Sequence, residues 1–276
     1  MSMETDSKAP TPGPRRVELG GFKLEYDDLP AFAPGRPTLL LMHEGLGSVQ
    51  HWREFPATLA QATGCRCVAY SRLGHGCSSP RRHPHTANFV HEEAHQMLPA
   101  LRQALDIADP VLIGHSTGAS MALIHAGARR WPVAGVVALA PITFVEESNL
   151  QSIRRVRDQY PASRLRESLA RYHDDVDAVF YGWTDTWLDP AFRHWTLLPS
   201  LAGIECPILA IRGQDDEYVT PAQIDCIVQH AGHAASVQAI TLPDCGHAPH
   251  RDQPDAVVQA ICTLLGRVAV PAARQH

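Results

Sequence analysis

Five segments of this chain are short, nearly continuous in apolar residues and rich in β-branched ones: "TLLLMH" (38–43), "RCVAY" (66–70), "PVLIGH" (110–115), "VAGVVALA" (133–140) and "PILAIR" (207–212). None alternates polar with apolar, which is the pattern of a strand buried on both faces. Amphipathic stretches near 50–62, 88–106 and 117–130 separate them. Strand–helix alternation of this kind predicts an α/β fold, a mostly parallel central sheet with helices on both faces. An early pair, "RRVELGG" and "FKLEYDD", reads as an antiparallel hairpin at one sheet edge, and "SVQAITL" reads as a last strand.

One stretch breaks the alternation. Residues 143–200 are rich in Arg, Asp, Tyr and Trp and show no buried-strand pattern, while "SIRRVRDQY" and "SRLRESLARYH" look helical. The expected organisation is therefore a polar, Pro-rich tail (1–16), a core domain (17–142 and 201–270) and a helical cap (143–200). Three of the chain's five tryptophans, Trp183, Trp187 and Trp195, fall within fifteen residues of the cap. Their spacing of four and eight would put them on roughly one side of a helix.

The net charge of −5 gives no pull toward nucleic acid or an anionic membrane. The longest apolar run, "VAGVVALAPI", is too short to span a bilayer, and the tail has no apolar core of a signal peptide. The seven cysteines are scattered without C-x-x-C pairs, so a reducing, cytoplasmic setting is expected. The "CRC" at 65–67 reads as core. A small-molecule substrate is the expected partner, with room left for a homodimer and with no cofactor or metal required.

The strand "PVLIGH" runs into "GHSTG" (114–118) and then into a good helix former, "ASMALIHAGARR". G-x-S-x-G at a strand-to-helix junction is a nucleophile elbow, in which small residues flank a serine thrust out at the sheet's edge. Gly114 and Gly118 supply them, and Ser116 is the candidate nucleophile. A serine hydroxyl needs a base to take its proton and an acid to orient that base. "GQDDEYVTP" follows the strand "PILAIR", and "PDCGHAPHRDQP" follows the last strand. Asp216 and His247 thus fall at the ends of successive strands, with Asp215 and Glu217 competing for the acid role.

From about residue 17 to 268 the chain resembles the α/β-hydrolase superfamily, on "HEGLGS" (43–48), "YSRLGHGCS" (70–78), "GHSTG", "GQDDEYVTP" and "GHAPH". The resemblance implies a triad of Ser116, Asp216 and His247, with the amides of Gly45 and Thr117 as the oxyanion hole. Two positions depart from the family pattern. Glu44 stands where glycine is common, and Ser71 stands where aspartate often opens the loop. Glu44 either lines the site or folds away to pair with a base, and the second is the expectation, because an unpaired carboxylate would oppose an oxyanion. His43, Glu44, His115, Trp183 and Trp187 are the expected substrate contacts, with Asp185 and His194 as a polar handle.

A competing signal is "HEEAH" (91–95), which satisfies the H-E-x-x-H pattern of zinc peptidases. His91 and His95 each follow a stripe residue of the predicted 88–106 helix, whose buried face is Val90, Ala94, Met97, Leu98, Leu101 and Leu105. No third ligand follows in sequence, and Pro99 would disturb a regular helix. The expected activity is therefore a serine hydrolase acting on a small carboxylic ester, thioester or lactone. C–C bond hydrolysis of β-diketone-like compounds ranks lower, because relatives doing it place Asn before the serine where this chain has His115. A zinc peptidase and a non-catalytic binding member of the fold are the remaining alternatives.

Overall fold

The computed structural model describes residues 15–268. Eight strands form one sheet: β1 (Arg15–Leu19), β2 (Phe22–Leu29), β3 (Leu39–Met42), β4 (Cys67–Tyr70), β5 (Val111–His115), β6 (Gly135–Leu139), β7 (Ile208–Gly213) and β8 (Val237–Leu242). Their order across the sheet is β1-β2-β4-β3-β5-β6-β7-β8. Among these strands only β2 runs against the rest; β1, antiparallel to β2, shares the direction of the others. Their two-residue turn, Gly20–Gly21, has φ of 56° and 81°, the doubly positive geometry of a type I′ hairpin. Most of the expected 1–16 tail lies outside the described residues, as do 269 and 270, while Arg15 and Arg16 belong to β1 rather than to a tail.

Because successive residues of a strand point to opposite faces, each buried strand feeds two cores. Leu40, Met42, Leu112, Val136, Ala138, Ile208 and Ala210 pack on one side. Leu39, Leu41, Val111, Ile113, Val137, Leu139, Leu209 and Ile211 pack on the other, together with Cys65 and Cys67. Helices α1 (Phe55–Thr63), α2 (Phe89–Glu92), α3 (Leu98–Ala104) and α4 (Thr117–Gly127) come from the first half of the chain. The segment between β6 and β7, termed the cap below, contributes α5 (Glu147–Gln159), α6 (Leu165–Leu169), α7 (Val176–Leu188) and α8 (Leu198–Leu201). After β7 follow α9 (Pro221–His230), α10 (Pro249–Asp252) and α11 (Pro254–Leu265). Among the described residues no helix is long and apolar enough to cross a membrane.

Two features differ from expectation. The helix before β5 is not regular: a π turn at Glu93–Met97 separates α2 from α3, just ahead of Pro99. In the cap, α7 stops at Leu188, because Pro190 forces Asp189 into an extended conformation (ψ 129°). Trp195 therefore leaves the helix that carries Trp183 and Trp187. It is brought back by stacking on Phe192 (centroids 5.4 Å apart) and by an edge contact with Trp187. The two ends of the cap are joined at a neck. Phe144 bridges Thr196 in antiparallel fashion, and Leu197 N–H donates to the Thr143 carbonyl at 2.8 Å.

Candidate active site

Ser116 stands between β5 and α4 with φ 52° and ψ −115°, a conformation that costs a non-glycine residue energy and is held only by its surroundings. The surroundings are tight. A methyl on Gly114 would collide with the Gly118–Ala119 backbone, and one on Gly118 with the Met42 and His43 carbonyls. Ser116 N–H is anchored to the Leu139 carbonyl at 2.8 Å. Thr117 opens α4, so its N–H is one of the first-turn donors with no acceptor inside the helix.

Asp216 and His247 meet across two loops. His247 Nδ1 lies 2.9 Å from both carboxylate oxygens of Asp216, whose side chain is fully buried. Asp216 also accepts from the backbone N–H groups of Tyr218 (2.8 Å) and Val219 (2.9 Å). Burial pushes the Asp216 carboxyl up, but these hydrogen bonds outweigh it and hold the group below the ordinary carboxylate range. Asp215 and Glu217 are exposed on either side, so only Asp216 reaches the imidazole. The β7 end can pass under this loop because residue 213 is glycine; a methyl there would strike the Cys245 and Gly246 carbonyls.

Ser116, Thr117, Gly45 and His247 all line one cavity of about 260 Å³. Its remaining wall is mostly apolar cap surface, including Ile153, Leu165, Leu169, Trp183 and Trp187. Of the expected contacts, Glu44, Trp183 and Trp187 border the cavity, but His43 and His115 do not. His43 is fully buried beneath the loop; its Nε2 accepts from Arg72 N–H (3.0 Å) and its Nδ1 donates to the Glu44 carbonyl (2.7 Å). His115 is buried behind Ser116, directed to the His247 carbonyl. Asp185 is drawn outward by Arg157, and His194 is likewise absent from the cavity wall.

The loop after β3 owes its shape to a residue that the sequence did not single out. Arg72, 3% exposed, donates to the His43 carbonyl at 2.6 Å and to the Glu44 carbonyl at 2.8 Å. In a trans peptide the N–H points opposite the C=O, so Arg72 turns the Gly45 N–H away from itself. The Gly45 carbonyl in turn accepts from His75 Nε2 at 3.0 Å. The aspartate missing at Ser71 is replaced from a distance: Ser71 Oγ donates to the buried Glu25 of β2 at 2.7 Å and accepts from Val49 N–H. The Glu44 carboxylate both borders the cavity and approaches His115 Nδ1 at 3.3 Å, so the two outcomes expected for it coexist.

The residues of "HEEAH" have other partners. His91 Nδ1 accepts from the Trp195 indole at 3.3 Å, and Glu92 accepts from Thr86. Glu93 is buried facing the charges of Arg72 and Arg81. Among the described residues no group of three or more His, Cys, Asp or Glu converges as a metal site would require.

Comparison with known proteins places this geometry in context. The chain is 24% identical to an sn-1-specific diacylglycerol lipase of Mus musculus over 92% of its own length and 88% of the relative's. It is 26% identical to protein phosphatase methylesterase 1 of the same species over 84% and 76%. Among solved structures, the enol-lactonase of Burkholderia xenovorans LB400 superposes with a TM-score of 0.71 at 19% identity, covering 91% of this chain and all of that one. E-2-(acetamidomethylene)succinate hydrolase superposes equally well, TM-score 0.71 at 18% identity, covering 92% and 98%. At these identities the structural likeness speaks to the fold alone. Residues 39–260 match the model of the alpha/beta hydrolase family, and the chain belongs to that family.

Proposed function

We propose that the protein is a serine hydrolase that cleaves a small carboxylic ester, or a lactone or thioester of similar size. The observation that carries this reading is the 2.9 Å Asp216–His247 pair opening onto the same cavity as the strained Ser116. Ser116 Oγ attacks the acyl carbonyl while His247 Nε2 takes its proton, and Asp216 holds the Nδ1–H tautomer and balances the imidazolium. The amides of Gly45 and Thr117 receive the oxyanion, where preorganised donors stabilise charge without reorganising. His247 returns the proton to the leaving oxygen or sulfur. A water activated by His247 then releases the acyl group.

The size and lining of the cavity favour a compact, apolar acyl group, since apolar wall supplies affinity and a few polar groups set orientation. The lipase and the methylesterase among the relatives support ester chemistry. Labelling with a fluorophosphonate, followed by turnover on an ester, thioester and lactone panel, tests the reading. Wild type should label and turn over. Ser116→Ala should do neither, with a loss on the order of 10⁶ in kcat. Retention of a tenth of wild-type activity in that variant would reject Ser116 as the nucleophile.

A further inference from the structure

We infer that Glu44 and His115 share one proton and act as a positioning pair, fixing the His247 backbone relative to the loop that carries Gly45. The inference rests on the triad reading above. Its basis is a count of donors and acceptors. His115 Nε2 lies 2.7 Å from the His247 carbonyl, and a carbonyl only accepts, so Nε2 carries hydrogen. A neutral imidazole would then present a lone pair at Nδ1, 3.3 Å from Oε2 of Glu44. Two lone pairs at that separation repel, so one proton lies between them.

That proton makes the pair neutral overall. This explains how a carboxylate is tolerated beside the place where an oxyanion would form. The Glu44 carboxyl is pushed up by burial, yet its hydrogen bond to His115 and the nearby imidazoles hold it well below the ordinary range. Around the pair stand His43 and His51 beside Glu44, with His173 and Arg72 behind them. His250 packs edge-on to His115 at 4.8 Å, and the His247 ring lies tilted against it at 5.1 Å, with Arg251 beyond them.

Three strand ends are thereby tied in series: Glu44 after β3, His115 at the end of β5, and His247 after β8. Removing the shared proton to bulk hydroxide leaves lone pair facing carboxylate, which pushes His115 off the His247 carbonyl. Displacement of a catalytic group by an ångström can cost about 100-fold in rate. A glutamine at position 44 would behave differently, because its amide N–H donates to a neutral Nδ1 and no proton remains to be lost.

Two measurements test this on the full-length protein. The first is kcat and KM against pH for wild type, Glu44→Ala and Glu44→Gln. Glu44→Ala should lose about 10–100-fold in kcat with KM little changed. Glu44→Gln should recover most of that loss and should lack the alkaline fall in kcat expected of wild type. The second is the ¹⁵N shift of the His115 ring at neutral pH, in wild type and in Ser116→Ala. Two protonated nitrogens are expected, and one in Glu44→Gln. One unprotonated nitrogen in wild type would overturn the pairing, whatever the rates. Wild-type kcat in Glu44→Ala would overturn the positioning role. If Ser116→Ala itself stays active, the triad reading falls while the nitrogen count still tests the pair.

Discussion

Trp183 of the cap lies so close over Gly45 that a methyl added to Gly45 would sit 2.5 Å from the indole Cδ1 and Nε1. The requirement for glycine here comes from the neighbour, since the φ of Gly45 is not positive. Gly45→Ala must therefore push either the indole or the loop out of place. A loss of about 100-fold in kcat/KM is expected, as for other displacements of catalytic groups. Adding Trp183→Ala should restore part of that activity, because the clash disappears. Equal losses in the single and double variants would show that the two residues are not coupled.

The cap tryptophans divide into different roles. Trp195 is 6% exposed, stacks on Phe192 and lies outside the cavity wall, whereas Trp183 is half-buried and borders the cavity. Trp195→Ala should destabilise the protein by about 3–5 kcal/mol, measured by urea unfolding, with substrate preference unchanged. Trp183→Ala should leave stability nearly intact and shift preference between short and long acyl groups by about tenfold or more. If both variants alter only stability, specificity lies elsewhere on the wall.

Asp216 alone reaches His247, so the neighbouring carboxylates provide an internal control. Asp216→Asn should lower kcat by about 10⁴-fold, because the amide no longer enforces the productive tautomer. Asp215→Asn and Glu217→Gln should stay within a few-fold of wild type. Comparable losses at Asp215 would place the acid one residue away.

His125 offers a test of stability remote from the cavity. Its ring is fully buried and stacked on Trp131; Nδ1 donates to the Ala94 carbonyl (2.7 Å) and Nε2 accepts from Arg102 (2.6 Å). Burial, with Arg102 adding to it, lowers its pKa from 6.5 to about 4 despite the Ala94 hydrogen bond. Below pH 6.5 the unfolded chain takes up this proton and the folded one does not. Stability should therefore fall from pH 6.5 down to about 4 and be independent of this group above that window. At full effect His125 contributes about 3 kcal/mol. His125→Gln, which keeps an acceptor for Arg102, should flatten the slope of unfolding free energy against pH by about one proton. Parallel slopes would show that His125 does not titrate in this window.

Much of the core was legible because its information is local. A strand buried on both faces must be apolar throughout, and an elbow at Ser116 demands Gly114 and Gly118 within the same five residues. The long-range polar contacts were not legible. Ser71 meets Glu25 only because β2 lies beside β4 with Tyr26 opposite Tyr70, and nothing near Ser71 in sequence announces that register. The Arg72 clamp on the His43 and Glu44 carbonyls depends on how two loops stack in space, as does the approach of Glu44 to His115. The tryptophan spacing misled for the opposite reason. Spacing implies a shared face only while one helix continues, and Pro190 was the local signal that it stops.

The neck at Phe144 and Thr196 has a consequence for how such a chain changes over time. Because the bridge joins the insertion's two ends, the stretch between them begins and finishes at nearly one point on the sheet. The entropy of closing a loop grows only slowly with its length, about 0.6 kcal/mol per doubling. Residues between the two anchors can therefore lengthen, shorten or be exchanged as a cassette, while β6 and β7 keep their register. A different cassette would present a new wall to an unchanged Ser116, so the selectivity of this scaffold can be rewritten without reopening the problem of folding it.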